Sequence, residues 1–328
     1  MTPRLLLRYG DEIERGLRDA LTGESLLYRA LRYHVGLEDE HGAPCRMLGK
    51  LLRPSLVLFT AGELGADLVR ARFAAVGLEL IHNFSLIHDD IQDRDALRRG
   101  RQSVWRLHGV EQAINAGDLM ETLAVGQTLR AGAESLQALL QATVEMIEGQ
   151  AMDLAFEKEE ATRDAYFAMV DKKTGALIRC ALELGGILGG ADRTVIGHLT
   201  GLGGALGRAF QIRDDLLGIW GNGEETGKPL GSDIRRRKKS FPAALLFDRA
   251  PQAQRNTVRA IYAKPRIDEA DVVRVIELMD RLEIREAGED AVAAALDRAS
   301  SHLDRLPFSR DGKEEMSELI DYLARRKK

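Results

Sequence analysis

Cysteine is nearly missing from this sequence: 328 residues hold two, Cys45 and Cys180, too few for a disulfide framework and suited to a reducing cytoplasm. Proline is also scarce, at 8 residues, so few positions forbid a helix. No basic excess exists. The formal net charge is -4, which gives no electrostatic footprint for nucleic acid. No apolar run is long enough to cross a bilayer: the most apolar stretch, 176–190, is interrupted by Arg179 and Glu183 and falls short of roughly 20 residues. The first ten residues carry two arginines but no apolar core leading to a small-residue cleavage site, so the N-terminus is read as unprocessed. Alternating β-branched and polar runs, internal repeats, low-complexity tracts and linkers are likewise missing. These absences predict a soluble cytoplasmic protein without strands, nucleic acid or an integral membrane segment.

What is present is helical period. Of the residues 45% are hydrophobic and 30% charged, and the apolar ones recur three and four apart. Leu78, Ile81 and Ile87 to Ile91 show it, as do Val272, Val275, Ile276 and Met279. Breaks at 41–44, 100–103, 190–193, 221–229, 250–252 and 263–268 divide the chain into about ten to twelve helices of ordinary length. The fold class expected is all-α, in one domain. The glycines of 185–207 miss the spacing of a dinucleotide loop and follow no strand. Small residues that let two helices approach closely explain them better.

Residues 79–101 read ELIHNFSLIHDDIQDRDALRRGR. Asp89 and Asp93 are four apart, which puts both carboxylates on one helix face. Like charges so placed weaken a bare helix by about 0.2–0.5 kcal/mol, yet Leu86, Ile87 and Ile91 surround them as if on a cavity wall. Hard Mg²⁺ takes carboxylate oxygen together with substrate phosphate, which would give the pair a purpose. His82 lies seven residues earlier on the same face, about 10 Å deeper along the axis, and Arg98 and Arg99 follow. Taken alone, the pair is equally a solvated acidic patch beside arginines.

A second acidic stripe, FQIRDDLLG from Phe210 to Gly218, places Gln211, Asp214 and Asp215 together. Adjacent carboxylates in an apolar helix are costly unless ion-paired or metal-bound. Cations gather in four further places: Lys50 with Arg53, Lys172 with Lys173 beside Thr174, Lys228, and residues 235–239, which include Lys238. Each alone reads as solvated surface. Together, two acidic Mg²⁺ candidates and these cations suit two diphosphate groups, one neutralised by metal and one held directly.

At these residues the sequence resembles the trans-isoprenyl diphosphate synthases, the polyprenyl synthetase family. GKLLRP at Gly49, the ELIH…DDIQD…RRG block, KTG at Lys173, FQIRDD at Phe210 and GKPLGSD at Gly227 occur in the family's order. The resemblance covers 26–328, leaving 1–25 as an N-terminal helical extension. It implies helices around a deep central cavity, a homodimer, a Mg²⁺ requirement, and isopentenyl and allylic diphosphates as substrates. By position it assigns Asp89 and Asp93 to Mg²⁺ on the allylic diphosphate and Asp214 to a third ion, with Asp90 and Asp215 in support. Lys50, Arg53, His82 and Arg99 match isopentenyl diphosphate ligands. Arg98, Lys173, Gln211, Lys228 and Lys238 match those around the allylic diphosphate, and Thr174 a group that stabilises the cation. The family's second motif usually closes with aspartate where this chain has Gly218, which implies weakened water-mediated coordination there and moves the main metal burden to the first motif.

The implied chemistry is ionisation, condensation and elimination, with 221–227 as a candidate lid against water. Product length should follow cavity depth below Asp89. Phe84 and Ser85, five and four residues before it, resemble the floor of geranylgeranyl diphosphate synthases, with a farnesyl product as the competitor and plain core packing as the alternative for Phe84. A class I terpene cyclase would not need Lys50, Arg53 and His82. A non-catalytic synthase subunit tends to lose motif aspartates, and a head-to-head coupling enzyme lacks GKLLRP.

Overall fold

Apolar residues three and four apart do become helices here, and several of the helices stop at glycine, as at Gly36, Gly109 and Gly132. The computed structural model describes residues 2–156, 162–221 and 229–324. The chain divides into two compact units. Each is assembled from three separated stretches of sequence, which is why no linker marks a boundary.

The first unit comprises Met1–Thr143, Cys180–Thr200 and Leu306–Glu315. It opens with α1 (Arg4–Arg8), α2 (Gly10–Ala20) and α3 (Leu26–Val35), followed by α4 (Leu52–Glu63) and α5 (Leu68–Gln92). A two-stranded ribbon, β1 (Leu97–Arg98) and β2 (Arg101–Gln102), precedes α6 (Val104–His108) and α7 (Val110–Ala131). Asp67 caps α5 by accepting from Val69 N at 2.9 Å. Gly77 meets Thr128 near one end of α5 and His88 covers Gly117 near the other, so α5 and α7 run antiparallel, as close as a missing Cβ allows. Leu78 and Leu80 on α5 and Ala116 and Met120 on α7 are wholly buried. The ribbon corrects the expectation of no strands. Its strands are two residues long, too short to show alternation, and it is made by a turn in which Arg99 (φ 52) and Gly100 (φ 76) both have positive φ, the backbone of the tightest hairpins.

The second unit comprises Val144–Arg179, Gly201–Arg305 and Met316–Lys328. α8 (Ala133–Phe156) enters it, α9 (Arg163–Val170) leads through a π-helical turn at Asp171–Gly175 into α10 (Ala176–Leu188), and α11 is Arg193–Trp220. Later helices include Ser232–Arg235, Phe241–Arg249, Gln252–Tyr262, Glu269–Arg281 and Ile284–Asp304. The glycine-rich stretch acts as expected: a Cβ on Gly203 would sit 2.7 Å from Arg179 Cα, and one on Gly207 2.8 Å from Gly175 Cα. Among the described residues no helix is long and apolar enough to cross a membrane.

Candidate active site

Two clusters of the singled-out residues form, one within each unit. In the first unit, Asp89 is half-buried in the last turn of α5 and Asp93 is the exposed residue that closes it, donating N–H to the Asp89 carbonyl at 2.8 Å. The helix dipole disfavours anions at this end by about 0.3–1 kcal/mol each, so these carboxylates do not serve the helix. Asp90 faces the other way. It is 1% exposed and takes a two-pronged bond from Arg98, Nε at 2.9 Å and Nη2 at 2.5 Å, onto Oδ1. Burial pushes its carboxyl up, and Arg98 pulls against that.

The ribbon aims Arg98 and Arg99. Arg101 pins it to α3 through the Tyr33 carbonyl at 2.7 Å and stacks 4.4 Å from the Tyr33 ring, while the Tyr33 hydroxyl donates to the Gln102 carbonyl at 2.8 Å. Arg99 lies against Gly49, where a Cβ would come within 2.9 Å of its guanidinium. The GKLLRP and RRG elements therefore meet through a glycine. Lys50 is exposed beside them, and Leu51 (φ 52) turns the chain sharply into α4. Arg53 Nη1 lies 3.2 Å from His82 Nε2. Burial, then Arg53 and Arg99, hold His82 well below the usual histidine range, and burial with Arg99, Arg98 and Arg101 does the same to His34. Both rings are neutral.

Two residues that the sequence reading missed complete this cluster. Glu79 is 4% exposed and hydrogen-bonded by Asn83 at 2.9 Å; burial pushes its carboxyl up, and Arg99, Asn83 and Arg53 pull against that. Its place one turn below His82 on α5 was the available signal. His34 is the other, and nothing near it in sequence marks it. His34 Nε2 and Arg53 Nε are buried without hydrogen-bond partners among the described residues. A compact anion with several oxygens fits such a set. Ser85 donates to the His82 carbonyl at 2.8 Å, and Phe84 is buried with its ring 4.9 Å from His88.

In the second unit, Asp215 is wholly buried and accepts four bonds. They come from the Tyr166 hydroxyl at 2.6 Å, Phe241 N at 2.8 Å, Lys238 Nζ at 2.8 Å and Gln211 Nε2 at 3.1 Å. All four donors come from this chain, and Asp214 is the half-buried member of the pair. Burial and Asp215 push the Tyr166 hydroxyl well up, so it remains a donor. Burial works against the Lys238 charge, but Asp215 and Asp233 outweigh it and raise its pKa. Gln211 also accepts from the Thr174 hydroxyl at 2.8 Å, and Lys173 pairs with Asp153 at 2.5 Å. Lys228 and all of the candidate lid 221–227 except Gly221 lie outside the described residues.

Gly218 has a counterpart that the sequence hid. A Cβ there would collide with the carboxylate of Asp233, which occupies that space. Ser232 Oγ bonds the Gly218 carbonyl at 3.2 Å and Gly231 N the Ile219 carbonyl at 3.0 Å, holding the segment against α11. Among the described residues no three His, Cys, Asp or Glu side chains converge on one point. Asp89 and Asp93 supply the one or two carboxylates that Mg²⁺ uses when substrate phosphate completes its shell, so the donor set fits that ion. A cavity of about 80 Å³ between Gln252–Tyr262 and Glu269–Arg281 is lined by none of the singled-out residues.

With this geometry in view, comparison with known proteins is decisive about family. The polyprenyl synthetase family model matches residues 42–279. The chain belongs to the polyprenyl synthetase family, the trans-isoprenyl diphosphate synthases. It is 47% identical over 217 residues to (2E,6E)-farnesyl diphosphate synthase of Mycobacterium tuberculosis, covering 64% of this chain but only 60% of that protein. It is 37% identical to the short chain isoprenyl diphosphate synthase of Methanothermobacter thermautotrophicus, over 85% of this chain and 86% of the relative. The crystal structure of geranylgeranyl pyrophosphate synthetase from Pyrococcus horikoshii superposes with a TM-score of 0.88 at 34% identity, covering 98% of each chain.

Proposed function

We propose that this chain is a Mg²⁺-dependent prenyltransferase that condenses isopentenyl diphosphate with an allylic diphosphate (dimethylallyl, geranyl or farnesyl) to a short-chain trans-prenyl diphosphate, geranylgeranyl diphosphate foremost and farnesyl diphosphate as the alternative. The observation that carries it is the pairing of an acidic helix end, Asp89 and Asp93, with a cationic cluster in the same unit, made of half-buried Arg53, exposed Arg99 and two histidines held neutral. One anion needs metal and the other is bound directly, which favours condensation of two diphosphates over cyclisation of one.

Asp89 and Asp93 would hold Mg²⁺ and Asp214 a third ion, and bound metal would neutralise the charge that grows on the leaving diphosphate. Arg98, steadied by Asp90, and Lys173 and Lys238 add cationic donors for the same group. Lys50, Arg53, Arg99 and neutral His82 orient isopentenyl diphosphate. The Thr174 hydroxyl donates its hydrogen bond to Gln211, so its oxygen lone pairs are left to face developing positive charge. The allylic carbon–oxygen bond breaks, the isopentenyl double bond forms the new carbon–carbon bond, and the proton lost passes to released diphosphate. The reading includes a homodimer in the cytoplasm.

The test is incubation of purified protein with isopentenyl diphosphate, Mg²⁺ and each allylic primer in turn, with products resolved by chromatography. A C20 diphosphate is expected. No incorporation with any primer would overturn the reading, and a cyclic hydrocarbon would favour a cyclase.

A further inference from the structure

The turn Asp171–Gly175 is π-helical between two α-helices, a rare form that recurs at functional positions. Such a turn carries an extra residue and lasts only where neighbouring groups fix it. Arg208 on α11 grips Asp171 with a fork, Nε to Oδ1 at 2.6 Å and Nη2 to Oδ2 at 2.5 Å. The same guanidinium lies 5.3 Å from the ring centroid of Phe167, one turn before Asp171. Arg179 donates to the Asp171 carbonyl at 2.8 Å through Nη1, and its Nη2 is tied to Glu145 at 2.6 Å. Gly149 meets the Lys173 backbone, and Gly207 meets Gly175. The turn is thus gripped at its first residue and packed along its backbone on two sides.

A lone half-exposed ion pair contributes little, but a planar fork against a carboxylate is directional. Direction is what this turn needs. Return to α register would swing Thr174 by roughly 100° about the helix axis, away from Gln211.

We propose that the Arg208–Asp171 fork, with Arg179, keeps the π turn in register and thereby sets how Lys173 and Thr174 face the allylic substrate; these are positioning residues, and the inference rests on the prenyl-transfer reading above. Arg208→Lys retains the charge and loses the fork. Amide hydrogen exchange read by mass spectrometry should speed up locally over 171–176, with other helices unchanged. In the same variant kcat should fall about 10–100-fold, as expected for misplaced reacting groups. KM for isopentenyl diphosphate should stay within about twofold, because its binding is not what is lost. Asp171→Asn, which cuts the fork from the other side, should reproduce both effects. Unaltered exchange over 171–176 in both variants overturns the proposal, as does faster exchange spread over the whole chain. If the unaltered protein makes no prenyl product, the catalytic reading fails while the exchange data still decide whether the fork holds the turn.

Discussion

Neighbouring aspartates on α5 do opposite things, and their substitution should separate function from stability. Asp89→Asn removes a carboxylate from the unfavourable end of a helix dipole but also an attraction to Arg98, so the two effects oppose and unfolding stability should change by no more than about 1 kcal/mol. Its kcat should drop about 10²–10³-fold, the scale of losing one electrostatic contact made in the transition state. Asp90→Asn leaves Arg98 without its ionic partner, and should lose about 1–3 kcal/mol in denaturant unfolding. A variant pair in which both were equally unstable would refute this division. Buried His34 and half-buried His82 make a pH prediction. His34 and His82 have folded pKa values well below 6.5, whereas an unfolded histidine titrates near about 6.5. The unfolded chain therefore binds protons that the fold refuses. Stability should be full above about pH 7 and fall as pH drops through about 6.5, with a slope approaching 1.4 kcal/mol per pH unit for each histidine. His82→Gln should flatten that fall in urea titrations; an unchanged slope would show the ring is not what titrates.

Between elements, what matters is where glycine lets one part approach another. On α11, Gly218 is occupied through space by Asp233. Gly218→Asp, which restores the family's usual residue, should therefore not improve the enzyme. It should cost about 1–3 kcal/mol by overpacking, with like-charge repulsion added, and Asp233→Gly in the same chain should recover most of the loss in thermal unfolding. Full tolerance of Gly218→Asp alone would mean the carboxylate moves aside freely. In the α5–α7 seam, Phe84 packs on His88, which covers Gly117. If this ring ends the hydrocarbon site, Phe84→Ala should lengthen the product on chromatography at a stability cost of about 3–5 kcal/mol, and an unchanged product would make Phe84 core alone. Helix limits at 190–193, 250–252 and 263–268 were legible because glycine and proline act locally, as were His82 and Asp89 on one helix with Asp93 at its C-terminal cap. The ribbon and the π turn were not, since two residues cannot show a period and one inserted residue barely disturbs it. Tyr166, Arg208 and Asp233 escaped for another reason. Their partners lie 49, 37 and 15 positions away in sequence, and no spacing rule spans such a separation.

For the whole molecule, the surface raises the question of assembly. On α8, Leu140, Val144 and Ile147 are 42%, 52% and 47% exposed, spaced four and three apart and so on one face. Val110 and Ile114 on α7 are also exposed, at 40% and 42%. Apolar side chains lined up in this way mark interaction surfaces more often than solvent-facing helix. The occupant argued for is a second copy of the chain. An isologous two-fold contact brings one helix face against itself, and a net charge of only -4 opposes such pairing weakly. Each partner would need to bury about 800 Å² for a stable dimer. Light scattering after gel filtration should therefore give twice the chain mass. Val144→Glu with Ile147→Glu places like charges across the two-fold axis and should yield monomer. Because both side chains are exposed, the substitutions themselves should alter the stability of one chain by no more than about 0.5 kcal/mol each. A monomeric double variant whose unfolding midpoint lies below that of the unaltered protein and does not rise with protein concentration would fit an interface at this stripe. A double variant that remains dimeric would place the contact elsewhere, and a monomeric unaltered protein would remove the homodimer from the reading altogether.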